Sequence, residues 1–204
     1  MSILLNTVLS KPLIDELNSV SQIMIIDKGT ELLRDGEYVK TVPIVLSGSI
    51  KIYIKNEDKE LLLYYVKPNE SCIMSFSAFI KNSPSKIYAV TEEKSELLAI
   101  PVSEIDNILK NYPEFNRLFY GLYNERYIDL IKTINSVLFN KLDSRILSYL
   151  KEKSVIHNSK QIKVTHKQIA LDLGSSREVI SRTIKKLEID GHVTLHNSLI
   201  ELKL

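Results

Sequence analysis

The chain is poor in the residue types that build closed chemical sites. It has a single cysteine, Cys72. One thiol cannot form an intramolecular disulfide, and alone it cannot hold a structural zinc or an iron–sulfur cluster. The four histidines all lie beyond residue 156, at 157, 166, 192 and 196, so the first three quarters of the chain lacks the commonest haem and metal ligand. No apolar run approaches the roughly 18 residues of a membrane span. The start, MSILLNTVLSKPLIDEL, lacks a basic stretch ahead of its apolar residues and a small-residue cleavage site. These absences predict no signal peptide, no membrane association and a cytoplasmic protein. Gly-rich phosphate loops, H-E-x-x-H and G-x-S-x-G are missing as well, so the expectation is no cofactor, no metal and no enzymatic activity. Absence of tryptophan excludes nothing.

Charge is nearly balanced at +2 but unevenly placed. Residues 138–204 carry twelve Lys/Arg and seven Asp/Glu, whereas residues 1–137 carry fifteen and eighteen. A basic end on a mildly acidic body suggests nucleic acid at that end.

Between about residues 20 and 102, short apolar runs alternate with turn signals. Strands are predicted at Gln22–Ile26, Glu31–Leu33, Val42–Leu46, Ser49–Lys55, Glu60–Val66, Ile87–Val90 and Glu96–Ile100. Ile50-Lys51-Ile52-Tyr53-Ile54-Lys55 has the period-two alternation of a half-buried strand. Many short strands between Gly and Asn turns imply an antiparallel barrel or sandwich. Val102–Asn111 reads as a short helix with Ser103 as a possible N-cap. Pro113 then opens a long helix reaching about Val137. Asn116, Tyr120, Tyr123, Tyr127, Leu130, Ile134 and Val137 follow a 4-3 spacing, the seam of a coiled coil. Phe115, Leu118, Phe119 and Leu122 form a second stripe. One face can pack on the barrel and the other on a second subunit, although packing within one chain would also produce apolar stripes.

The segment VTHKQIALDLGSSREVISRTIKKLEIDGHV carries the most specific pattern. Thr165 with Gln168 is a capping box that starts a helix. Gly174 sits where a left-handed residue is needed between two steeply crossing helices, and Ser175 or Ser176 caps the second. Ile169, Ala170 and Leu173, then Val179, Ile180, Ile184 and Leu187, face inward. Arg177, Glu178, Ser181 and Arg182 are left outward on the turns that meet base edges in a recognition helix. An Arg can donate two hydrogen bonds to guanine and a Glu can accept from cytosine N4. Thr165, His166, Ser176, Lys185, His196 and Asn197 are candidate phosphate contacts, the last two on a hairpin wing at Val193–Leu202. A solvated helix with an i,i+4 Glu–Arg pair is the plain alternative.

With these residues in place the chain resembles the Crp/Fnr superfamily of transcription regulators over nearly its whole length. KGTELLRDGEYVKTVPIVLSGSIKIY is similar to that family's first barrel strands, with Gly29, Gly36 and Gly48 at turns. SREVISR resembles its recognition-helix signature. The resemblance implies an α+β protein: an N-terminal eight-stranded antiparallel jelly-roll β-barrel (1–112), a long dimerisation helix (113–137) and a C-terminal winged helix-turn-helix (138–204). It implies a homodimer on an inverted repeat of double-stranded DNA, with Glu178 and Arg182 reading a G·C pair and Ser181 favouring a TTGA half-site. RNA polymerase is the implied protein partner. A signal at the barrel would act through the long helix and a hinge near Leu138–Lys141.

The sensor departs from the family pattern. Cyclic-nucleotide binders carry a Gly-Glu and an Arg-Ser that hold the phosphate. Alignment on the flanking strands puts Ile73-Met74 and Ser85-Lys86 there, and no glycine lies between Gly48 and Gly121. Lys86 cannot grip a phosphate in the bidentate manner of arginine. The expectation is therefore a signal other than cyclic AMP. Met24, Met74 and Cys72 have no supporting haem ligand. A small organic effector between barrel and helix, lined by tyrosines 64, 65, 123 and 127, is one option, and core packing explains those tyrosines equally well. A redox-sensing Cys72 is another. A barrel that binds a ligand while its wing domain serves as a protein-interaction module is the alternative from a different functional class.

Overall fold

The structure is a computed structural model that describes residues 9–56, 59–196 and 199–203; at 59, 78 and 136–139 only the backbone is described. The chain divides into two compact units, one comprising Met1–Ile54 and Leu63–Leu130, the other Lys55–Leu62 and Ile131–Leu204.

The first unit opens with a helix absent from the sequence expectation, α1 (Lys11–Val20). Its signals are nevertheless local. Ser10 caps it by accepting from the Leu13 amide, proline occupies its first turn, and Leu13 and Leu17, one turn apart, are buried. Strands β1 (Gln22–Ile26), β2 (Glu31–Leu33), β3 (Thr41–Ser47), β4 (Ile50–Asn56) and β5 (Lys59–Val66) follow. After them come α2 (Ile73–Lys81), β6 (Tyr88–Thr91) and β7 (Ser95–Pro101). They form two antiparallel sheets, β1-β7-β3 and β2-β6-β4-β5, which is the jelly-roll arrangement. In place of the implied eight strands there are seven among the described residues, plus an isolated bridge between Ile44 and Ser71. Between β5 and β6, where no helix was predicted, α2 forms.

The two sheets share a core. Val45 and Leu97 from one meet Ile50, Ile52, Val66 and Ala89 from the other. The turn between β3 and β4 requires glycine. Gly48 has φ +83, and a Cβ there would stand 2.3 Å from Ser95 Oγ and 2.6 Å from the Lys94 carbonyl. Strand β4 does not keep the half-buried alternation of its sequence. Ile50 and Ile52 are buried, but so are Lys51 and Tyr53, while Ile54 is exposed. The reason is its place inside a four-stranded sheet, with Tyr53 stacked on Tyr88 at 5.3 Å and the Lys51 ammonium 4.7 Å from the Tyr53 ring.

Helix α3 (Val102–Asn111) starts at Pro101 without a side-chain cap. The expected cap, Ser103, lies inside the helix and donates to the Glu104 carboxylate instead. Helix α4 (Pro113–Phe139) has 27 residues and is about 40 Å long. Phe115, Phe119 and Leu122 are buried in the first unit's second core cluster with Leu13, Leu17 and Ile105. Phe119 stacks on Phe76 and meets Phe115 edge-on. Arg126 is the polar tie of α4 to the barrel. At 8% exposure it donates to the Tyr65 carbonyl (3.2 Å), pairs with Glu70 (3.3 Å) and Asp129 (3.4 Å), and lies 4.8 Å from the Tyr64 ring.

The second unit holds α5 (Leu142–Ile156), β8 (Gln161–Ile162), α6 (His166–Asp172), α7 (Arg177–Ile189), β9 (Val193–His196) and β10 (Leu199–Leu202). A three-stranded sheet in the order β8-β10-β9 accompanies three helices. Ile146, Leu150, Ile169, Ile180, Ile184 and Ile200 close its core.

Candidate nucleic-acid interface

The site is built by two helices and the turn between them. Thr165 caps α6, its hydroxyl accepting from the Gln168 amide at 3.1 Å. The expected capping box is only half made, because the Gln168 side chain turns away to donate to Asp172 at 2.8 Å. Helix α6 ends in a Schellman turn: Ser175 N–H donates to the Ala170 carbonyl (2.8 Å), Gly174 N–H to Leu171 (3.1 Å), and Gly174 has φ +61. One residue later Ser176, rather than Ser175, caps α7 by accepting from the Val179 amide at 3.4 Å. The two caps and the turn orient α7 from its first residue.

Ile180, Ile184 and Leu187 are buried, whereas Arg177, Glu178, Arg182 and Lys185 are exposed. Glu178 does not simply project into solvent. Its own backbone amide and the Ser176 hydroxyl draw its carboxylate back to the helix start, and with Arg177 and Arg182 nearby they hold it below the usual carboxylate range. Ser181 is half-buried, and its hydroxyl lies 2.9 Å from His166 Nδ1. One expected base contact and one expected phosphate contact are therefore bonded to each other. Desolvation, with the Arg177 charge nearby, holds the His166 imidazole below its ordinary range. On the wing, His196 Nε2 meets Glu201 at 3.1 Å, and Lys203 approaches the same carboxylate at 3.7 Å. Asn197 lies outside the described residues.

Sequence reasoning missed the group that supports this surface from behind. Asp172 is buried and accepts from the Tyr149 hydroxyl (2.7 Å) as well as from Gln168. Arg145 donates to the Leu173 carbonyl at 2.7 Å, at the turn itself. Glu188 accepts from the Leu195 amide at 3.0 Å and so fixes the wing to α7. Apart from Gln168 and Asp172, which are four positions apart on one helix, these partners stand 7 to 28 positions apart, beyond the reach of local spacing rules, although an Asp on the apolar side of a short helix was a visible signal.

The expected seam on α4 is largely exposed: Tyr120, Tyr127, Leu130 and Ile134 range from 47% to 73%, with Ile128 and Ile131 beside them. Tyr123 differs, since it packs partly against the core shared with Phe119. Asn116 is tied back to the Leu109 carbonyl. The Val137 side chain lies outside the described residues. Cys72 is buried at 2% exposure. Of the two residues aligned with the Arg-Ser of cyclic-nucleotide binders, Ser85 is buried with its hydroxyl bonded to the Ile87 backbone, and Lys86 is exposed. They form no anion cradle.

The family model of the cyclic nucleotide-binding domain matches residues 24–112. The CRP-like protein Clp of Xanthomonas campestris is 26% identical over 174 residues, covering 79% of this chain and 75% of Clp. A Crp/Fnr-family transcriptional regulator of Eubacterium rectale, known from its crystal structure, superposes with a TM-score of 0.85 at 25% identity. The match covers 97% of this chain and 92% of that one. Over nearly its whole length the chain is thus similar to transcription regulators of the Crp/Fnr family. The crystal structure of the Xanthomonas campestris regulator CLP, described as responsive to c-di-GMP, has the same fold, with a TM-score of 0.82 at 22% identity over 96% of this chain and 100% of its own. Among the described residues no helix is long and apolar enough to cross a membrane.

Proposed function

We propose that this Crp/Fnr-family protein is a sequence-specific transcription regulator that binds an inverted-repeat duplex as a homodimer and answers to an effector other than cyclic AMP. The observation that carries the reading is the division of α7. Its apolar side is buried, and Arg177, Glu178 and Arg182 stand together on the open side of its first turns. Glu178, held ionised, accepts from cytosine N4, while Arg182 donates to the paired guanine. Lys185, Thr165 and Ser176 take phosphates and set register. Ser181 enters this interface through His166. The exposed stripe Tyr120, Tyr127, Leu130 and Ile134 is the dimer contact, and two recognition helices related by its two-fold axis match two half-sites. Bound beside a promoter, the dimer recruits or blocks RNA polymerase.

The test is selection from random-sequence duplexes with the full chain. An inverted repeat with a G·C pair at a fixed position in each half is the expected product, and its enrichment should vanish with Arg182→Ala. Recovery of no preferred sequence would overturn the reading.

A further inference from the structure

The barrel contains a cavity of about 570 Å³, within the roughly 300–1,000 Å³ range of small-molecule sites. Its room comes from small side chains, with Ala89 on β6 and Ala99 on β7 at positions where β-branched residues would fill it. Ile50, Ile52, Cys72, Ala89, Leu97 and Ala99 make the floor, each 6% exposed or less. Met24, Tyr38, Lys40 and Thr41 stand exposed at the mouth. None of tyrosines 64, 65, 123 and 127 lines it, nor does any described residue of α4. The cavity is therefore a different place from the barrel–helix space expected from sequence.

Its charge pattern selects its ligand. The charged lining residues are Glu37 and Lys40, both at the exposed mouth, and the Glu37 carboxylate already accepts from the Arg34 amide at 3.0 Å. At depth the described polar groups are the Cys72 thiol and Ser75, itself 4% exposed. A phosphate or carboxylate pushed to that floor would lose its hydration with no cation to replace it. A neutral molecule would bury apolar surface and keep one hydrogen bond.

We propose that this cavity binds a neutral, largely apolar small molecule, whose single polar group meets Cys72 and Ser75. The proposal rests on the reading of the chain as an effector-responsive regulator and names the class and seat of that effector. Cys72 also connects the seat to α4. It lies beside the Tyr64 phenol, which burial pushes well above its ordinary range, and Tyr64 lies under Arg126.

The probe is N-phenyl-1-naphthylamine, which is neutral and fluoresces in apolar surroundings. Because Cys72 is the only thiol, its modification by methyl methanethiosulfonate, read by mass spectrometry, reports occupancy of the floor. One probe per chain is expected, with modification of Cys72 slowed at least about tenfold at saturation. Ala99→Leu, which fills the floor, should weaken the probe by at least about tenfold. Cyclic AMP should neither displace the probe nor protect the thiol. Fluorescence without protection of Cys72 would mean binding on the exposed α4 stripe and would overturn the assignment, as would protection by cyclic AMP. If Ala99→Leu fails to fold, protection in the unaltered chain decides the matter. Titration of a selected duplex in the same samples separates the two ideas. Protection without any duplex binding sinks the regulator reading and keeps the cavity. Duplex binding without protection does the reverse.

Discussion

The winged unit and the barrel unit use their polar side chains differently. In the winged unit nearly every polar group near α7 is assigned. Thr165 and Ser176 cap helices, Asp172 gathers Tyr149 and Gln168, and Arg145 holds the Leu173 carbonyl. Arg177, Arg182 and Lys185 are left facing out. In the barrel unit the scaffold is equally well formed, down to Gly48 at its crowded turn, yet the aligned phosphate positions hold a structural serine and an outward lysine. The difference teaches that a jelly roll depends on its core and its turns. Groups that grip a ligand can be exchanged without cost to the fold, so a shared scaffold leaves the ligand open.

Four measurements test this division between the two units. The largest effect is expected on α4. Leu130→Asp combined with Ile134→Asp places two charges in the proposed dimer contact and should weaken dimerisation by about 4 kcal/mol, roughly a thousandfold. Sedimentation equilibrium reads this directly, and an unchanged association state would remove the seam from the account. Asp172→Ala removes the buried carboxylate that accepts from the Tyr149 hydroxyl and from Gln168. It should destabilise the winged unit by about 3 kcal/mol in urea unfolding. A loss under 1 kcal/mol, on the order of a solvent-exposed hydrogen bond, would show that the polar scaffold behind α7 is dispensable. Arg182→Ala should leave stability unchanged, because the side chain is exposed. It should weaken the selected duplex by about 2 kcal/mol, roughly thirtyfold, and relax preference at one position. Lys86→Ala in the barrel should change neither property.

The smallest effect concerns pH. His166 has its folded pKa below the ordinary value of 6.5, first through desolvation and then through Arg177. The unfolded chain therefore binds the proton more readily. The stability contributed by neutral His166 is complete above about 6.5 and is lost as pH falls from there through the lowered folded value. The site is largely open to solvent, so the loss should stay below about 0.5 kcal/mol. Melting curves from pH 7.5 to 5.5, flattened in His166→Gln, would check the sign.

Strand positions were legible because apolar runs end at Gly, Asn and Pro turns, and all seven runs matched strands to within a residue or two. The reading head was legible for the same local reason: caps, a turn glycine and helical spacing act within four residues. Helix α2 was not, since IMSFSAFIK is apolar and lacks a cap or a breaker at its start, which leaves strand and helix equally plausible by periodicity. The Ser181–His166 bond joins residues on two helices, and helix spacing alone placed both side chains outward.

By itself the sequence determined the α+β order of elements, the exposed basic face of α7 and the apolar stripe of α4. Each follows from interactions a few residues long, and these are what propensity, capping and periodicity record. Tertiary structure alone decided that β4 is buried on both faces, that His166 and Ser181 hold each other, that Asp172 anchors the turn, and that Ala89 and Ala99 open a cavity with no cation at its floor. Those outcomes depend on which distant residues meet across sheets and helices, and on the solvent that such meetings exclude.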